Sequence, residues 1–173
     1  MGEATFNPVV RPRGPLGRAL DYSCRALAVL AGLVLTAMAV MSVASIVGRA
    51  AFDTPIKGDF ELVQMMSAMA VAMCLPFCQM VRGHVIVDFF TTTLSAKSNK
   101  RLDGIASLLL AVVAFVVSWR MAAGLLDLAG SGDATMLLGL PTWWGYLPMV
   151  PSFFLLGCAA LFTAWLDFGG EAK

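Results

Sequence analysis

The chain has 173 residues, of which 59% are hydrophobic and 13% charged, with a formal net charge of +1. A soluble domain carries about a quarter charged residues, so this composition excludes an ordinary soluble fold. The near-neutral balance also removes the bulk basicity that nucleic-acid binding calls for.

Residues 1–25 read as an amino-terminal tail. Arg11, Arg13, Arg18 and Arg25 lie there with Pro8, Pro12 and Pro15. The prolines predict irregular chain to about residue 15, and Gly17 to Arg25 reads as the start of a helix at a membrane surface. Arginines before an apolar run also open signal peptides. The run here is too long for a typical h-region, so a retained span is expected. A hydrocarbon core of about 30 Å takes about 20 helical residues. Four runs meet that length: 26–48, 62–81, 105–126 and 143–165. The expected fold is an all-α integral membrane protein, with one four-helix membrane domain over 26–165 and a short tail over 166–173.

In the first span Ala28, Gly32 and Thr36 recur every four residues, as do Ala44 and Gly48. Such rows of small residues let helices approach closely in lipid, although alanine is simply common here. Arg49 to Glu61 follows as a loop, punctuated by Pro55 and Gly58. The second span carries Met65, Met69 and Met73 on one face, an adaptable packing surface. Pro76 predicts a kink in it, because proline removes one backbone hydrogen bond. Cys74 and Cys78 also share a helix face. No histidine or third cysteine is near enough to complete a metal site, so packing is the plainer reading.

The junction after the second span, Arg82-Gly83-His84-Val85-Ile86-Val87-Asp88, holds the one histidine of the chain. His84 and Asp88 are spaced to pair on one helix face. The segment then runs through apolar residues and hydroxyls to Lys97, Lys100 and Arg101. It reads as an in-plane amphipathic segment between the second and third spans, or as an extension of the second helix.

Arg120 lies roughly 22 Å along the third span, near its far interface. An arginine at mid-bilayer costs about 2.5 to 3.5 kcal/mol on insertion scales. Arg120 is therefore expected to snorkel outward or to pair with Glu61 or Asp127, Glu61 being preferred because it lies on another helix. Asp127 to Thr142 forms the last loop, ending at Pro141. Pro148 and Pro151 are expected to bend the first third of the last span.

Nine lysines and arginines fall in the two tails and the middle loop, against Arg49, Lys57 and Arg120 on the other side. The positive-inside rule then places both termini in the cytoplasm. Trp119, Trp143, Trp144 and Tyr146 mark the outer interface, and Tyr22 and Trp165 the inner one.

Several chemistries find little support. A haem anchor needs axial ligands facing each other within the bilayer, and His84 sits alone at an edge. Catalysis wants a cluster of ionisable groups in one cleft. A carrier core shows repeated broken helices around a midplane site. The plainer expectation is a subunit that packs against a larger membrane partner.

Four short stretches resemble one family. Arg49 and Phe52 close the first span, and Gly58-Asp59-Phe60-Glu61-Leu62 opens the second. Gly83-His84-Val85-Ile86-Val87-Asp88 is similar to a glycine-x-histidine-isoleucine-x-valine-aspartate signature, with Val85 at the commoner isoleucine. Leu138-Gly139-Leu140-Pro141 precedes a tryptophan-rich fourth span. Together they resemble the small membrane subunit, the DctQ-type or Q subunit, of tripartite ATP-independent periplasmic (TRAP) transporters, over roughly Gly48 to Trp165.

The resemblance implies a non-enzymatic brace in the bacterial inner membrane. Its expected partners are a large permease subunit, a periplasmic binding protein and the surrounding lipids, and no nucleic acid. The large subunit would move the substrate, typically an organic acid, and hold the sodium sites. No cofactor, catalytic residue or metal ligand is expected in this chain. Arg49, Glu61, Pro76, Gly83, His84, Asp88, Arg120 and Pro141 are the candidate structural or interface residues. The alternative is an anchor subunit of a redox or other enzymatic complex.

Overall fold

Helix α1 runs from Pro15 to Phe52 in the computed structural model, which describes residues 14–53, 57–82 and 96–169, with the backbone alone over 96–100. Three more helices follow: α2 (Asp59–Met80), α3 (Ala96–Ser131) and α4 (Trp143–Phe168). Each is long and apolar enough to cross a membrane. This is the expected four-span, all-α architecture.

Two helices are longer than the apolar runs alone predict. α1 has 38 residues, about 57 Å at 1.5 Å per residue. The stretch Gly17 to Arg25 belongs to this helix and forms no separate surface element. Pro15 suits the first turn, where its missing N–H has no partner to lose. At the other end α1 carries on through Arg49 to Phe52, so the connection to α2 covers only 53–58. α3 begins at Ala96, which puts Lys97, Lys100 and Arg101 on the same helix as the third span. Alanine, lysine, arginine and leucine all favour helix, and nothing breaks the run before Gly104. The rest of the expected in-plane segment, 83–95 with Gly83, His84 and Asp88, lies outside the described residues.

Packing follows a seven-residue period. The buried residues of α1 are Gly17, Cys24, Ala31 and Ser45, and Leu20, Leu27 and Val34 pack beside them. On α3, Gly104, Ala111 and Ser118 are buried at the same spacing, with Ala114 between. This is the narrow seam of a coiled-coil-like contact. The outward residues Gly32 and Thr36 lie off the α1 seam and are exposed. The Thr36 hydroxyl donates to the Gly32 carbonyl at 2.8 Å.

The helices line up in the order α1, α2, α4, α3, and α1 touches α4 over a short stretch. Among the described residues the backbones of α1 and α3 make no close approach, nor do those of α2 and α3. The result is an open array with α1 and α3 at its edges. α4 sits inside and buries the most, including Gly145, Ser152, Leu156, Gly157, Ala160 and Thr163.

Lipid is as apolar as leucine, so close backbone approach must hold such an array. Gly157 shows how close: a Cβ there would lie 2.8 Å from the Phe115 ring. Phe115 in turn meets Phe154 edge-on, with centroids 5.5 Å apart, an arrangement worth about 0.5 to 1.5 kcal/mol. Met73 is buried against Ala31 and Ala70, so part of the methionine face is consumed within the chain. Pro76 is fully buried inside α2, and the helix continues past it to Met80.

Candidate functional site

Polar side chains gather at the two ends of the array. One end collects the start of α1 and the ends of α2 and α4, as the cluster of Cys24, Met80 and Ala159 shows. There α2 closes on Val81 and Arg82, and Arg82 takes a left-handed backbone at φ 51°. That turn swings its side chain onto α4. The Arg82 guanidinium pairs with Asp167, whose side chain is only 7% exposed. The second carboxylate oxygen of Asp167, Oδ2, is buried without a hydrogen-bond partner among the described residues.

One turn deeper, Gln79 Nε2 donates to Thr163 Oγ1 at 2.8 Å. The Thr163 hydroxyl donates to the Ala160 carbonyl at 3.0 Å. These contacts border a cavity of about 320 Å³ that also reaches Asp103 and Ser107 of α3.

The opposite end is tied by two carboxylates in the first turn of α2. Asp59 accepts from the Ser45 hydroxyl at 2.7 Å and from the Phe60 N–H at 2.8 Å. Arg49, in the last turn of α1, lies 3.9 Å from the same carboxylate. Both charges also suit their helix ends, a carboxylate at an amino end and a cation at a carboxyl end.

Glu61 reaches the last loop. Its carboxylate accepts the Leu137 N–H at 2.9 Å and the Leu138 N–H at 3.2 Å, with the Thr135 hydroxyl and the Met136 amide also directed at it. Leu138 drops its side chain over Gly58, where a Cβ would stand 2.5 Å from Leu138 Cγ. Gly58 has φ 77°, a conformation costing a side-chain-bearing residue about 1 to 2 kcal/mol. Pro141 bridges to Ala134 and accepts the Trp144 N–H at 3.1 Å, so it closes the loop and opens α4.

The expected pair of Arg120 and Glu61 is not formed. The loop amides occupy the Glu61 carboxylate, while Arg120 is exposed on α3 and makes no ion pair among the described residues. Asp127 does not pair with it either. The reason is local: the carboxylate finds backbone donors of the loop that covers its own helix end.

Of the other expected residues, Arg49 and Pro141 sit in the contacts just described, and Pro76 is packed inside α2. Gly83, His84 and Asp88 are outside the described residues. Sequence reasoning did not single out Ser45, Gln79, Thr163 or Asp167. Gln79 and Thr163 carried a signal, as polar residues inside apolar runs.

The buried polar side chains Ser45, Gln79, Ser118, Ser152 and Thr163 are all hydrogen bonded within the chain. They join helices or bond their own backbone.

The profile of a family described as "Tripartite ATP-independent periplasmic transporters, DctQ component" matches residues 38–169. The chain belongs to the DctQ family. It is thus the small permease component of a TRAP transporter, a multi-pass membrane protein of a transporter family and not of an enzyme family. The DctQ match covers α2, α3 and α4 and the last part of α1, which includes both carboxylate ties at the Glu61 end. No curated protein and no solved structure matches the chain.

Proposed function

We propose that this DctQ subunit is a static brace for the large permease subunit, in ion-gradient-driven uptake of organic acids delivered by a periplasmic binding protein. The carrying observation is the use of the buried polar groups. Ser45, Gln79, Ser118, Ser152 and Thr163 are spent on holding the chain's own backbone and helices, which leaves them no role in binding a moving substrate. An open array supports the same reading, because its edge helix α1 is largely uncovered: only 6% of its apolar window is buried.

In this reading both termini and the Arg82–Asp167 end face the cytoplasm, and the Glu61 end faces the periplasm of a bacterial inner membrane. The exposed row of Gly32 and Thr36 on α1 packs against the large subunit, which also holds the sodium sites; this chain needs no cofactor. Gly83, His84 and Asp88 act as a structural junction where the chain leaves the membrane. The test is co-purification from membranes. Gly32→Leu should reduce recovery of the large subunit, whereas a change on another exposed face of α1, such as Leu30→Met, should not. Equal recovery with Gly32→Leu would place the contact on another face.

A further inference from the structure

The loop over 132–142 spends a good deal of structure on displaying two apolar side chains. The Thr135 N–H donates to the Leu140 carbonyl at 2.9 Å, the Leu140 N–H to the Thr135 hydroxyl at 3.1 Å, and the Gly139 N–H to the Thr135 carbonyl at 3.0 Å. Gly132 and Gly139 take left-handed conformations, at φ 72° and φ 64°. Glu61 clamps the turn from another helix, and Leu138 anchors it over Gly58. At the tip of this well-tied loop Met136 is 99% exposed and Leu137 70% exposed. Ordering a loop costs conformational entropy. A rigid tip that holds apolar side chains in the open has the form of a preorganised binding element.

The tip lies end-on, not along the side of the array. The loop crosses the start of α2, and α3 extends to Ser131, about 7.5 Å beyond residue 126 where its apolar run ends. Trp143 and Trp144, the interfacial aromatics, come after the loop at the start of α4. A lateral membrane partner meets helix sides, so an end-on tip faces a soluble partner. Asp127 and Asp133 stand beside and within the loop, Glu61 underlies it, and the exposed Lys57 lies next to Gly58 on its α2 side.

We infer that Met136 and Leu137 form a docking knob that enters an apolar pocket on the soluble binding protein, with Glu61 as the residue that positions the knob. This rests on the reading of the chain as a TRAP small subunit. The knob adds contact area without a change of shape in the loop, which favours fast and reversible docking.

The test uses the complete membrane complex in nanodiscs and titrates it with the transporter's own binding protein. Replacing both tip residues, Met136→Ser with Leu137→Ser, should weaken binding by about tenfold. Exchanging them for other apolar residues, Met136→Leu with Leu137→Met, should restore most of it. Glu61→Gln should weaken binding while the knob itself is intact, because the amides lose a charged acceptor. Recovery of the large subunit should stay at the wild-type level for all three. Unchanged affinity of the serine variant, with normal binding by wild type, would overturn the knob alone. Loss of the large subunit from the serine variant would overturn it in favour of a lateral contact. A serine variant that binds normally but reconstitutes poorly into vesicles would overturn it in favour of lipid contact. If wild type binds no soluble protein and recovers no large subunit, the small-subunit reading fails and takes the knob with it.

Discussion

Arg82 and Asp167 stand 85 positions apart and close the ends of α2 and α4 in one largely buried ion pair. Removing one partner of such a pair leaves the other charge uncompensated, a loss of about 3 to 5 kcal/mol in buried settings. Removing both leaves a modest change. Arg82→Leu and Asp167→Leu should therefore each lower the thermal midpoint of the purified subunit, and the double variant should recover most of the loss. Purely additive losses would show that the pair does not hold the two helices.

The loop over α2 depends on the missing side chain of Gly58. In Gly58→Ala the new Cβ would collide with Leu138 and the residue would carry a strained left-handed backbone. The expected cost is about 2 to 4 kcal/mol locally, from strain and overpacking together. Limited proteolysis should show faster cutting within 132–142, with the helices still protected. Unaltered cutting would mean that the Leu138 anchor is dispensable.

Much of this architecture was legible in the sequence. The four spans were, because length and apolarity decide them and neither depends on tertiary context. Helix ends were less so. The first apolar run stops near Gly48 and the third begins after Asp103, yet Arg49 and two alanines carry α1 to Phe52, and a lysine- and arginine-bearing stretch starts α3 at Ala96. The order α1, α2, α4, α3 was not visible, although the seven-residue seam of Gly17, Cys24, Ala31 and Ser45 was there to be read. The four-residue row of Gly32 and Thr36, the plainer small-residue pattern, lies on the outside.

The site was harder for a physical reason. Pairing of Arg120 with Glu61 rests on charge and depth alone. It loses to backbone amides of a loop whose path only the fold reveals. Asp167 reads as a tail residue until α4 carries it beside Arg82.

Arg120 and Glu61 should accordingly behave as independent sites. In a double-mutant cycle of Arg120→Leu and Glu61→Leu, scored by thermal stability, the effects should add within about 0.5 kcal/mol. A coupling above about 1 kcal/mol would restore the ion pair between α2 and α3. Arg120→Lys should be tolerated, since either side chain reaches an interface.

Sidedness follows from the same account. In a cysteine-free background, single cysteines at Lys57 and Ser131 should react with a membrane-impermeant thiol reagent from the periplasm. A cysteine at Arg101, near the start of α3, should react only after the membrane is opened. Labelling of the Arg101 position in intact cells would invert the topology.

The central claim is that the subunit braces a carrier without being one. The direct measurement is substrate uptake into proteoliposomes under an ion gradient, with the binding protein supplied outside. Large and small subunits together should take up substrate, and the small subunit alone should give the background rate of protein-free vesicles. Gradient-dependent uptake by the small subunit alone would contradict the account.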